Sequence, residues 1–154
     1  MSDIQRMADA VVSMTEAIMN KHGNIIADDM KTRLQSAGHI DTGALYDSIR
    51  SETDRDSQTI STYIYADAQN PVNGAYYAEF IEHGTGAAHG RAGGRVGSWK
   101  YKDAHGNWHT TDGMDADPFI EPAVDADIGD WFEDLGVMIN TDIDKYWRTV
   151  SGND

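Results

Sequence analysis

The chain has no cysteine, only five lysines among its 12 basic residues, and no apolar run near the roughly 20 residues that span a bilayer. The missing cysteine excludes disulfides and thiolate metal sites and leaves the redox compartment unread. Lack of a long apolar run, with no signal-peptide succession at either end, gives the expectation of a soluble protein without a membrane partner. The shortage of positive charge excludes a further class. Formal net charge is -14 over 154 residues, whereas a general nucleic-acid binder shows a basic face that releases counterions from phosphates.

What is abundant is aspartate, 20 of the 26 acids. Short carboxylates with few long ammonium stems hold water and ions in concentrated salt, where repulsion is screened within a few ångströms. The composition fits a halophilic source, and equally an acidic surface that keeps an assembly protein soluble in a crowded cell. The charge is uneven. From Asp112 to Asp154 there are 12 acids and 2 bases, whereas Arg91, Arg95, Lys100 and Lys102 follow one another with no acid between them.

Apolar residues from Asp3 to about Gln35 (Ile4, Met7, Val11, Met14, Ile18, Ile25, Ile26, Met30, Leu34) keep a 3.6-residue period. This predicts one long amphipathic helix packed on a body, with Gly23 weakening or bending its middle. ALYDSIRSE reads as a short turn entering a strand. TISTYIYA reads as its hairpin partner, with Ile60, Thr62 and Ile64 on one face and Ser61, Tyr63 and Tyr65 on the other. Both faces carry groups worth burying, so a helix is expected over one and a neighbouring subunit over the other. Six glycines and almost no apolar side chain between Gly84 and Ser98 predict a mobile loop. A second hairpin turns at AHGN, with Trp99, Tyr101 and Trp108 packing across its strands. The last helix is expected to open at Pro118 or Pro122 with Asp117 as its cap. Its buried stripe would run Ile120, Val124, Ile128, Trp131, Phe132, Leu135, Met138, Ile139, Ile143, Tyr146 and Trp147. The fold class is α+β, a single domain over 1–154 in which a small antiparallel sheet of two hairpins packs against long N-terminal and C-terminal amphipathic helices.

Catalytic patterns are missing. Gly84, Gly86 and Gly90 break the G-x-G-x-x-G spacing at His89, no nucleophile elbow occurs, and Glu79 and Glu82 lie too close along the chain to face each other across a cleft. No enzyme, cofactor or metal is expected. Two alternatives stay open: a zinc-dependent hydrolase using His83, His89, His105 and His109, and an acidic DNA mimic that binds a basic protein. The basic run on an acidic body suits docking onto another copy, so Arg91, Arg95, Lys100, Lys102, Tyr63 and Tyr65 are the candidate subunit-interface residues.

Three motifs, TGALYDSI (42–49), YAEFIEHGT (77–85) and GMDADPFIEPA (113–123), carry a resemblance in their order and spacing. Taken together, the chain resembles the minor tail and head-to-tail joining proteins of long-tailed phages, and departs from them in its glycine-rich insert and aspartate-loaded last helix. The resemblance implies a structural virion protein without catalytic residues, soluble in the host cytoplasm before assembly. It implies a homo-oligomeric ring of six copies, with twelve as the alternative, beside neck, portal-side or tail-tube proteins, with DNA passing through unbound. The motif residues Thr42, Gly43, Leu45, Ser48, Ile49, Tyr77, Glu82, Gly84, Thr85, Gly113, Met114, Pro118, Phe119 and Pro122 are then structural. In that setting YAEFIEHGTG is a joint: Tyr77, Phe80 and Ile81 pack, Glu82 and Thr85 bond exposed backbone groups, and Gly84 and Gly86 permit a sharp change of direction.

Overall fold

The computed structural model describes residues 2–103 and 105–151, apart from the side chains of Trp147, Val150 and Ser151. Its elements are α1 (Asp3–Ser36), α2 (Ala44–Ser48), β1 (Ile49–Arg55), β2 (Ile60–Ala66), α3 (Tyr77–His83), a 3-10 turn (Ala87–His89), β3 (Trp99–Lys102), β4 (Trp108–Thr111) and α4 (Glu121–Ser151). This is the α+β class expected. The hairpins β1–β2 and β3–β4 are separate two-stranded sheets rather than one.

Helix α1 is unbroken because its glycine has a packing purpose. A Cβ at Gly23 would stand 2.5 Å from Thr62 Cγ2 and 3.2 Å from Ser51 Cβ, so the bare backbone lets β1–β2 lie directly on the helix. Ser2 Oγ caps the start by accepting from Gln5 N. At the other end the amides of Gly38 and His39 return to Gln35 and Leu34 carbonyls, with Gly38 at φ 76°, which satisfies the last turn. Replacing Gly23 by Ala gains helix propensity but overpacks the sheet, for a net loss of about 1–2 kcal/mol. Urea unfolding of Gly23→Ala alone and with Thr62→Ser checks this, since removing Cγ2 should return most of the loss.

The core gathers where the C-terminal half of α1 meets α2, β1 and the start of α4. Ile26, Ala27, Met30, Leu34, Leu45, Ile49, Ala78, Phe119 and Ala123 are its buried members. The register pairs Ile49 with Ala66, Ser51 with Ile64 and Thr53 with Thr62 toward α1. Arg50, Glu52, Tyr63 and Tyr65 alternate onto the outer face, where Arg50 lies over the Tyr65 ring and Tyr63 is 49 % exposed.

Some expectations change. YAEFIEH is helical, which places Glu82 on the inner side of a short helix. Helix α4 begins at Glu121 with Pro122 in its first turn, and Asp117 hydrogen-bonds His39 Nε2 at 2.9 Å instead of capping it. Phe132, Ile139 and Ile143, expected in the buried stripe, are 68 %, 47 % and 48 % exposed. Only one side of the broad apolar face of α4 reaches α1, and the Trp147 side chain lies outside the described residues. In β3–β4 the aromatics do not pack on one another. Tyr101 stacks on its partner His109, while Trp108 stands opposite Lys102 on the other face.

Candidate functional site

The densest constellation joins two of the sequence motifs. Sixth of the seven residues of α3, Glu82 is 7 % exposed and aims its carboxylate at the open end of α4. Oε2 accepts from Phe119 N and Ile120 N at 2.8 Å each, and Oε1 accepts from Glu121 N at 2.9 Å. Three amides at and just before a helix start are thus satisfied by one carboxylate from another element, with the helix dipole reinforcing the bond. Beside it Thr85 and Met114 form an isolated antiparallel bridge, Thr85 Oγ1 also accepts from Met114 N, and Asp117 N donates to Ile81 O. Close approach demands glycine. At Gly84 (φ 67°) a Cβ would stand 2.7 Å from Met114 O, and one at Gly113 (φ 133°) would collide with Thr85 O. The motif at 42–49 supports the joint from behind. Leu45 and Ile49 enter the core, and Ser48 Oγ donates to Leu45 O and accepts from Ala68 N. Thr42 Oγ1 accepts from Ala44 N. Tyr77 is partly buried with a hydroxyl that has no partner among the described residues, and burial, with Asp41 and Asp103 near, raises its pKa above the ordinary tyrosine value.

A second constellation clasps α1 to α4. His22 is 1 % exposed, with Nδ1 2.7 Å from Asp127 Oδ2 and Nε2 3.0 Å from Asp134 Oδ2. Its ring stacks on Trp131 with centres 5.7 Å apart. Lys21 Nζ reaches the same Asp134 oxygen at 2.6 Å. The Lys21 bond, then the His22 bond, hold Asp134 below the usual carboxylate range. Its contribution is therefore present above that range and fades as the pH falls through the lowered value. The four histidines weighed for a metal do not include this one. The signal was available: positions 22 and 127 fall on the buried stripes of their helices, where an apolar residue is expected.

Those four histidines stand apart, each with its own carboxylate: His83 near Glu79, His89 with Asp115 and Asp112, His105 near Asp41, His109 with Asp103. Among the described residues no group of three or more His, Cys, Asp or Glu is placed to hold a metal. His109 first, with amides of the turn, holds Asp103 at about 2. Asp103 thereby organises the β3–β4 turn, accepting from His105 N and Asn107 N.

The glycine-rich segment is held by polar contacts where apolar ones are lacking. Arg91 donates to Gly84 O at 2.8 Å and to Glu79 Oε1 at 2.7 Å, so this interface candidate is engaged within its own subunit. Ala87 N donates to Arg95 O, and the Arg95 guanidinium lies over Trp99. Lys100 and Lys102 sit on β3. His89 pins the segment to 112–115 through Asp115 (2.8 Å) and Asp112 (3.4 Å), bonds that raise its pKa above 6.5. A raised histidine gives stability that is complete below its unfolded value and lost as pH climbs through the folded one. Protease nicking of 86–98, corrected on an unfolded substrate, should therefore rise between about pH 6 and 9 in the wild type. It should be high at both pH values in His89→Gln. A wild type equally resistant at both ends would refute the pin.

No helix among the described residues is long and apolar enough to cross a membrane. A family model described as "Bacteriophage HK97-gp10, putative tail-component" matches residues 1–84. No curated protein and no solved structure gives a match. The matched span runs from α1 through α3 and stops at the joint, so the third motif is tied to the first two by geometry. Covering more than half of the chain, the match shows that it belongs to the HK97-gp10-like family of phage tail components.

Proposed function

We propose that the protein is a ring-forming tail-completion or head-tail joining component, placed at the head-tail junction or upper tail of a virion. The carrying observation is family membership over the first three helices and the β1–β2 hairpin. The geometry supports a structural role: buried charge is spent on a helix cap and an interhelical clasp, with carboxylates already satisfied by backbone amides or histidine. Six copies close the ring, twelve being the alternative, against neck, portal-side or tail-tube neighbours. Acidic side chains toward the channel keep DNA from adhering, since no counterions are released by a negative wall. Native mass spectrometry and negative-stain microscopy of the full chain should show the ring, and antibody label should sit at the junction of intact virions. A monomer at every concentration, or label elsewhere on the particle, refutes the assignment.

The aspartate-rich surface gives the proposal a condition. With net charge -14, self-repulsion weakens the compact state at low ionic strength, and a virus of a salt-loving host would meet that with molar salt. The melting temperature should rise between about 0.1 M and 3 M KCl, beyond the range where screening alone saturates. A flat midpoint would leave solubility as the purpose of the charge.

A further inference from the structure

We propose that the exposed strip of α4 is the docking surface for the β3–β4 hairpin of a neighbouring copy; this rests on the ring reading above and names its interface. Two glycines open the argument. Gly129 and Gly136 stand inside α4, and a Cβ built on either meets nothing within 4 Å. Glycine is the poorest helix former after proline, and at Gly23 the molecule shows what compensates it, a neighbour pressed against the backbone. The glycines of α4 have no such neighbour in their own subunit. At 100° per residue they fall beside Phe132, Ile139 and Ile143, three of the exposed large apolar side chains. Asp125 and Glu133 lie along the same side. The result is an apolar strip with bare backbone, edged by carboxylates.

Charge selects what covers it. Helix α4 carries eight acids and two bases, so two copies of the strip would repel each other. The acid-free basic stretch from Arg91 to Lys102 ends in β3. There Lys100 pairs with Thr110 and Lys102 with Trp108, and strand alternation puts Lys100, Lys102 and Trp108 on one face. Trp108 is 66 % exposed, with Lys102 Nζ 5.1 Å from its ring centre. An aromatic ring flanked by ammonium groups is the counterpart of an apolar strip flanked by carboxylates. In the assembled pair Trp108 lies on the strip at the glycines, and Lys100 and Lys102 meet Asp125 and Glu133. Hairpin and helix are different surfaces, so the contact is head-to-tail and can repeat around a closed ring.

Sedimentation of the full-length chain tests this. Lys100→Glu with Lys102→Glu, or Asp125→Lys with Glu133→Lys, should each weaken self-association about tenfold or more, and all four together should restore it. Gly136→Leu should weaken association equally while the melting temperature of the dissociated subunit stays level or rises, which separates a lost interface from a lost fold. Because the chain has no cysteine, Trp108→Cys combined with Gly136→Cys should give crosslinked oligomers under mild oxidation. A wild type that forms rings while every variant does the same, without crosslinks, overturns the interface alone. A wild type that stays monomeric overturns the ring reading and this interface together.

Discussion

Glu82→Ala should destabilise the protein by about 3 kcal/mol, above the usual loss of about 0.5–2 kcal/mol for a single cap because three amides lose their acceptor at once. For a chain of this size that is a fall of roughly 6–12 °C in melting temperature. The amides of Phe119, Ile120 and Glu121 are the ones left unpaired, and Phe119, 2 % exposed, is anchored by the same turn. Damage should therefore spread from the start of α4 into the core. Glu82→Gln keeps one acceptor oxygen and turns an NH2 group toward an amide donor, so it should fall between wild type and alanine. Urea unfolding gives the free energy, and hydrogen exchange at Ala123 and Val124 gives the location. A loss below about 1 kcal/mol in the alanine variant would mean that water replaces the carboxylate, and Glu82 would not be what holds the start of α4.

His22→Leu should cost a similar amount, about 3–4 kcal/mol, through a different mechanism. It leaves Asp127, 7 % exposed, without its 2.7 Å partner, and a buried charge deprived of its partner is the expensive half of a broken pair. The stack on Trp131 goes as well, worth about 0.5–1.5 kcal/mol. If uncompensated charge is the cause, adding Asp127→Leu should recover more than half of the loss, since an apolar pair of similar volume can replace a buried ionic one. A double variant no more stable than His22→Leu would assign the cost to lost packing and leave the clasp with no electrostatic part. The two substitutions touch α4 at different turns and share no partner, so their effects should add when combined.

Periodicity made the scaffold legible. The α1 stripe from Ile4 to Leu34, the alternation around Ile64 and the turn residues of both hairpins each have a short-range cause, and each element lies where that cause puts it. The joint was legible only in part. That Glu82 and Thr85 would bond backbone groups follows from their place beside Gly84, but their partners lie 29 to 39 residues onward and no local pattern names them. Asp117 looked like the cap because sequence sees the nearest carboxylate, while the fold supplied a more distant one. The apolar stripe of α4 is wider than its buried face for a related reason. Periodicity marks Phe132, Ile139 and Ile143 as apolar, but it does not say how wide a face a single neighbouring helix can cover. His22 and Asp127 are not legible as a pair, because a polar residue on an apolar stripe reads as a flaw until its partner on the other helix is known.

The bridge between Thr85 and Met114 has a consequence for how such a chain can change over generations. Ladder and cap close the base of the excursion with backbone groups, the Thr85 hydroxyl and Glu82, and none of these bonds involves a side chain between residues 86 and 112. Closing a longer excursion adds only about 0.6 kcal/mol per doubling of its length. Apart from the ties of Arg91 to Gly84 O and Glu79 and of His89 to Asp115, the body leans little on what is written between residues 86 and 112. A longer or differently charged passage in the middle of that excursion would leave the same frame standing, because the joint that closes it is built from residues on either side.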